Sequence, residues 1–293
     1  MGVGPEAVAV VGLIAVCPGG AVTGGPHAMH QLVHTANKFG SAAMMYLPDI
    51  GSSVPEQYRG YDIPITESVP DGALVVLPEI WPDLAKMFPY NRVALWWLSV
   101  DNFGSHGQRN LSGIDLHLCQ SVYAARHVKF KVGKPSLMLT DWVTLPKSEV
   151  RRGPRVAVNP AKDAGLLRRF VKDRPDLEFV ELRGLDAQGV ADALGSCQVY
   201  VEFGANPGRD RPPREAALAG CVVASVLTGS ARHDDDMPLG AGYKFNDLRE
   251  ASAIVDSVLA DYERHHRAQQ PYRFWVHNQR TEFEREVREL LAE

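Results

Sequence analysis

Val199-Tyr200-Val201-Glu202-Phe203-Gly204-Ala205-Asn206-Pro207-Gly208-Arg209-Asp210-Arg211-Pro212-Pro213-Arg214-Glu215-Ala216-Ala217-Leu218-Ala219-Gly220-Cys221-Val222-Val223-Ala224-Ser225 is the most informative stretch of the chain. It opens on an apolar run rich in Val and aromatic residues, which reads as a strand. A Gly/Pro loop carrying three arginines follows, then a helix from Arg211 to Ala219, a glycine turn, and a second apolar run. Neither run alternates apolar with polar residues, as strands covered on both faces do not. Two such strands joined through a helix form a βαβ unit with a parallel sheet.

The same rhythm extends in both directions. In the first half, strands are expected over residues 7–16, 42–47, 73–77, 93–98, 114–119 and 136–139, with helices over 26–39, 81–88 and 122–130. A polar, charged break at residues 146–154 interrupts it, and the pattern then restarts. Strands are expected over 155–158, 177–182, 199–203 and 222–226, and helices over 161–172, 187–194, 211–219, 247–264 and 271–291. The reading is α/β, with two Rossmann-like doubly wound domains facing a cleft, over residues 1–148 and 149–293. In such sheets ligands bind beyond the carboxyl ends of the strands, so chemistry is sought in the loops that follow them.

With 293 residues, 45% of them hydrophobic and 23% charged, the chain has material for two cores. A formal net charge of −4 argues against a strong sequence-independent grip on nucleic acid. Cys17, Cys119, Cys197 and Cys221 form no Cys-x-x-Cys unit and lie in or beside apolar runs, so they read as buried reduced thiols. The first apolar run has no basic residue before it and meets Pro18-Gly19-Gly20, unlike a signal peptide. No stretch approaches the length of a membrane span, and the expected location is the cytoplasm.

After the first strand, Gly24 and Gly25 lead into a helix opened by Pro26, a place where free N–H groups and a positive helix end suit an anionic or hydroxyl-rich ligand. The spacing is not the dinucleotide fingerprint, although Asp49 stands where a ribose-binding acid would. His27, His30 and His34 share one helix face. Metal binding, ordinary surface or core placement, and substrate contact by His27 are the three readings. Asp101, in the loop after residues 93–98, is a candidate for sugar contact or a catalytic base, or else a turn former with Asn102. Trp96 and Trp97 read as core. In the quoted stretch, Arg209, Arg211 and Arg214 offer forks that match phosphate oxygens, and Glu215 offers a carboxylate for a ribose diol or an acid near a helix start. Asp234-Asp235-Asp236 reads as a solvated acidic loop.

The segment from Arg214 to Ala224 resembles the Glu-Ala-x-Ala-x-Gly-x-Pro-Val-Ile-Ala signature of GT-B fold glycosyltransferases, in particular the family 4-like (group 1) enzymes. Gly24-Gly25 with Phe39-Gly40, Gln120-Ser121-Val122-Tyr123-Ala124, and Val158-Asn159-Pro160-Ala161-Lys162 are similar to further elements of that group, in the same order. The resemblance implies sugar transfer from a nucleoside diphosphate sugar (UDP or GDP) without metal or other cofactor. Lys162, Arg209 and Arg211 would neutralise the diphosphate, Glu215 would hold the ribose, and Asp101 and His27 would face sugar or acceptor. The acceptor class is open among glycan, small molecule, protein and modified DNA. The last helix is expected to pack back on the N-terminal domain. Family members carry a first glutamate eight residues before the second, and here that position is Pro207. The alternative reading is therefore a non-catalytic sugar- or nucleotide-binding protein with a decayed site, with a nicotinamide-dependent oxidoreductase a distant third.

Overall fold

The structure is a computed structural model that describes residues 12–162 and 165–293, the Lys162 side chain excepted. The chain divides into two compact units. Of the described residues, the first holds 12–120, 124–141 and 281–293, and the second 121–123, 142–162 and 165–280.

The first unit is built on a six-stranded sheet of order β2-β1-β3-β4-β5-β6, with every pairing parallel. Its strands are β1 (Leu13–Pro18), β2 (Ala42–Leu47), β3 (Leu74–Pro78), β4 (Val93–Trp97), β5 (Leu116–Cys119) and β6 (Leu137–Met138). Helix α1 (Gly24–Ala36) crosses from β1 to β2. Leu13 to Cys17 are each fully buried, as are Trp96 and Trp97. Both indoles satisfy their N–H groups, Trp96 to the Leu139 carbonyl at 2.8 Å and Trp97 to His117 Nδ1 at 3.1 Å, which lets such large rings lie in a sheet core.

The first strand is expected over residues 7–16. Residues 1–11 lie outside the described residues, and the observed strand runs two residues further, to Pro18. The expected helix over 81–88 is instead a short 3-10 segment, Pro82–Met87. Seven residues between Trp81 and Pro89 are too few to repay helix nucleation. Helix α2 (Val122–His127) passes into one π-type turn, Val128–Val132, closed by Gly133 at φ 72.

The second unit holds a five-stranded parallel sheet of order β11-β10-β9-β7-β8. These are β7 (Gly153–Val158), β8 (Glu178–Glu181), β9 (Cys197–Glu202), β10 (Val222–Val226) and β11 (Lys244–Phe245). Helices α3 (Leu166–Asp173), α4 (Ala187–Gly195), α5 (Arg211–Ala219) and α6 (Leu248–Ala260) connect and cover them, followed by α7 (Tyr262–Ala268) and α8 (Gln270–Leu290). The helix expected over 247–264 ends at Ala260, because Asp261 leaves helical geometry (φ −147, ψ 68) and caps α7 by accepting the Arg264 N–H. β11 was not legible as a strand. It pairs with only Ser225 and Val226, and further along β10 the Gln269 amide takes over, meeting both the N–H and the carbonyl of Val223 at 2.8 and 2.7 Å.

The last turns of α8 belong to the first unit. There Phe283 stacks on Trp96 with centroids 6.3 Å apart, and buried Glu286 accepts from the Thr140 N–H and hydroxyl at 2.7 and 2.8 Å. No described helix is long and apolar enough to cross a membrane. All four cysteines are buried and unpaired.

Candidate functional site

In the second unit, the loops after β9 and β10 lie side by side at the carboxyl edge of the sheet and are locked together. Asn206 is fully buried and adopts a left-handed backbone, φ 48, which costs a non-glycine residue about 1 kcal/mol or more. Its amide nitrogen donates to the Gly204 carbonyl at 3.2 Å and to Thr228 Oγ1 at 3.1 Å, and lies 3.4 Å from Ser225 Oγ. Its Oδ1 has no hydrogen-bond partner among the described residues. The Ser230 N–H donates to the Asn206 carbonyl at 2.8 Å, and the Ser230 hydroxyl to the Gly208 carbonyl at 2.6 Å. Gly229, at φ 45, is obligatory: a Cβ there would overlap the carbonyls of Ala205 and Asn206. Below the loop, buried Glu202 accepts from the Tyr200 hydroxyl and from the Gly204 N–H, both at 2.7 Å. Burial, with the Glu202 carboxylate next in importance, holds the Tyr200 phenol well above its usual range. Neither Asn206 nor Glu202 stands out in the sequence. An Asn before Pro-Gly is the one available hint of a left-handed turn.

The three arginines of this loop have different fates. Arg214 is 2% exposed, with its guanidinium on the carbonyls of Arg209 (2.5 Å) and Asp210 (3.1 Å) and on Gln279 Oε1 (3.0 Å). So held, it ties the loop to α5 and α8. Arg209 is also buried. It pairs with Asp236 at 3.3 Å, donates to the Asp235 carbonyl, and lies over the Trp275 ring at 5.2 Å. Asp236 in turn accepts the N–H groups of Val122 and Tyr123 at 2.7 and 2.9 Å, so it is a buried cap of α2 rather than part of a solvated acidic run. Only Asp234 and Asp235 of that run are exposed.

Arg211 and Glu215, one turn apart on α5, are the accessible polar pair. Nε and Nη2 of Arg211 each lie 3.2 Å from Glu215 Oε1, with side chains 17% and 16% exposed, and Nη1 reaches the Trp142 carbonyl. Pro212 and Pro213 remove two of the free N–H groups at the start of α5, so that helix end is a poor anion cradle. Lys162 closes the 3-10 turn Pro160–Lys162 after β7, and its side chain lies outside the described residues.

In the first unit, Gly24 and Gly25 form the first turn of α1, whose N-cap Thr23 makes no side-chain cap. A Cβ on Gly25 would meet Leu98 at 3.7 Å, an ordinary contact, so Gly25 packs the helix start against the end of β4. His27 is half-buried, with Nε2 2.5 Å from the Tyr61 hydroxyl and its ring 5.1 Å from that of Tyr58. His30 is fully buried between the Pro26 carbonyl (2.6 Å) and the Tyr46 hydroxyl (2.8 Å), and burial lowers its pKa. His34 meets the Tyr61 carbonyl at 2.8 Å. The three imidazoles thus engage tyrosines and backbone, and no metal-holding group of His, Cys, Asp and Glu occurs among the described residues. Asp101 is exposed on the 3-10 turn Val100–Asn102, and its charge bears on His127. A carboxylate that the sequence reading missed lies at the end of β3. Glu79 is 4% exposed, accepts the Leu98 N–H at 3.3 Å, and burial pushes its pKa up to about 7.

Solved structures share this architecture over nearly the whole chain. HepE from Anabaena, in complex with UDP and glucose, is 11% identical with a TM-score of 0.67, over 96% of this chain and 99% of that one. The fold is GT-B. The trehalose-phosphate synthase of Burkholderia vietnamiensis (10% identity, TM-score 0.62, 97% and 98% covered) carries it too. So does sucrose-phosphate synthase from Thermosynechococcus elongatus (11%, 0.61, 96% and 99%). No family model matches the sequence, and no curated protein matches it. At these identities the GT-B fold of this chain is held by its pattern of buried strands and loop locks, with few side chains shared.

Proposed function

We propose that this GT-B chain is a glycosyltransferase that takes a sugar from a nucleoside diphosphate sugar, uridine or guanosine, without a metal ion. The observation that carries the reading is the Arg211–Glu215 pair, accessible on α5 and adjoining the locked loops at the carboxyl edge of the second sheet. In that place Glu215 accepts the two hydroxyls of the ribose, and Arg211 and Lys162 bring positive charge to the diphosphate as it leaves. Arg209 and Arg214 act behind them by fixing the loop. HepE, on the same fold, is seen with UDP-glucose, which supports a donor of that class. Asp101 and His27 are the first-unit groups proposed to meet sugar or acceptor. The four buried, unpaired thiols support a cytoplasmic location.

Thermal denaturation with UDP, GDP and inorganic pyrophosphate tests the nucleotide part. A ligand at 100 times its dissociation constant adds about 2.7 kcal/mol of stability. Absence of any shift with both nucleotides overturns the reading. Release of free sugar from UDP- and GDP-sugars tests catalysis. Pro207 favours one rival, a binding protein without turnover, because proline offers neither carboxylate nor N–H where the family has its first glutamate. Nucleotide binding with no hydrolysis or transfer selects that rival.

A further inference from the structure

The π-type turn that ends α2 carries an unusual surface. From Leu116 to Thr140 the sequence holds no Asp or Glu, while Arg126, Lys129, Lys131 and Lys134 fall within nine residues. All four are exposed. Among them Phe130 is 73% exposed, with Lys129 Nζ 5.6 Å from its ring centroid. A ring this exposed, set among four cations, offers apolar area beside a positive field. The geometry of the turn explains the projection. Val128 is buried and anchors it, Gly133 at φ 72 ends it, and Lys129, Phe130 and Lys131 between them are exposed. π-type turns of this kind recur at functional positions.

The local field is positive in a chain whose net charge is −4. Lys131 and Lys134 each oppose protonation of a neighbouring histidine, His127 and His117, after burial as the main cause. Asp101 acts in the opposite sense at His127.

We propose that residues 126–134 dock the protein onto an anionic lipid surface, with Phe130 inserted at the headgroup boundary and the four basic side chains over the lipid phosphates and carboxylates. An exposed ring supplies the apolar signal and the cations the electrostatic one, the two-part requirement of peripheral membrane binding. Single-stranded nucleic acid is the less fitting occupant, since it is held by a series of stacking rings along a basic groove and this turn presents one ring. The proposal is independent of the glycosyltransferase reading.

The test is co-sedimentation of the full chain with phosphatidylcholine vesicles, with and without phosphatidylserine, at low and high salt. Binding is expected only to the phosphatidylserine vesicles and is lost at high salt. Each Lys or Arg near such a surface contributes about fivefold in partition, so the double variant Lys129→Gln, Lys131→Gln is expected to bind about 25-fold more weakly. Phe130→Ser is expected to weaken binding further at unchanged melting temperature, because the side chain is already in water. Equal pelleting with both vesicle types, no pelleting with either, or indifference to these substitutions overturns the proposal. So does tighter binding of a single-stranded oligonucleotide through the same residues.

Discussion

Replacing Glu215 separates a ligand-binding carboxylate from a stabilising one. In the free protein Glu215 makes a paired contact with Arg211 at 3.2 Å, and both side chains are about one-sixth exposed. An i,i+4 pair with that residual exposure contributes about 0.5 kcal/mol, and truncation to Ala leaves a small surface void. Glu215→Ala is therefore expected to reduce stability by about 1 kcal/mol or less, a fall in melting temperature of about 2–4 °C at this size. Its expected effect on nucleotide binding is larger. Two hydroxyls donating to one carboxylate, at about 1.5 kcal/mol each, amount to about 3 kcal/mol, or roughly 100-fold in affinity. Glu215→Gln keeps the shape and one acceptor but not the charge, and a loss of about tenfold is expected. Calorimetric titration with UDP or GDP against inorganic pyrophosphate is the decisive comparison. Only the nucleotide is expected to weaken, because pyrophosphate has no ribose. Equal weakening of both ligands refutes the ribose assignment and makes Glu215 a general organiser of the α5 face. No weakening of either removes it from the site.

Three further outcomes follow from the geometry. Arg214→Ala is expected to destabilise the protein by about 3 kcal/mol or more, since it opens a buried void and strips donors from the Arg209 and Asp210 carbonyls, and a scan of melting temperature checks it; a variant with unchanged stability and weaker phosphate binding would restore Arg214 to the ligand. At Asn206, Gly is expected to be tolerated better than Ala, by about 1 kcal/mol in denaturant unfolding, because Gly accepts φ 48 while both lose the amide ties to Gly204 and Thr228. Glu79 has a folded pKa raised to about 7, so the folded state holds its proton where the unfolded chain has released it. Stability is then expected to fall by about 3 kcal/mol as pH rises from about 4.5 to 7 and to level off above. Glu79→Gln keeps an acceptor for the Leu98 N–H and should flatten that slope in unfolding curves taken across the range.

The parallel sheets were legible because their cause is local. Val93 to Trp97 is wholly apolar and Val222 to Val226 holds only Ser225 as a polar residue, and each is followed at a plausible distance by Gly, Pro or Asp punctuation. Helix α5 was placed to the residue because prolines and Gly220 mark both of its ends. Segments whose state depends on their surroundings were misjudged. Residues 82–87 had the apolar spacing of a helix but not the length, and Asp261 broke a continuous helical pattern by serving as a cap.

For the candidate site, the sequence by itself determined which residue types gather on the loop after β9: three arginines, an acid one turn into a helix, and a glycine-proline backbone. It could not say which arginines face solvent, because Arg209, Arg211 and Arg214 are chemically alike and close in the chain. The tertiary structure decided that. Gln279 and Asp236 stand 65 and 27 residues from the arginines they hold, and a buried guanidinium needs such distant partners to offset its lost hydration. The same holds for Asn206 and Gly229. Their backbone conformations are fixed by two loops pressed together across adjacent strands, a contact that no pattern within either loop records.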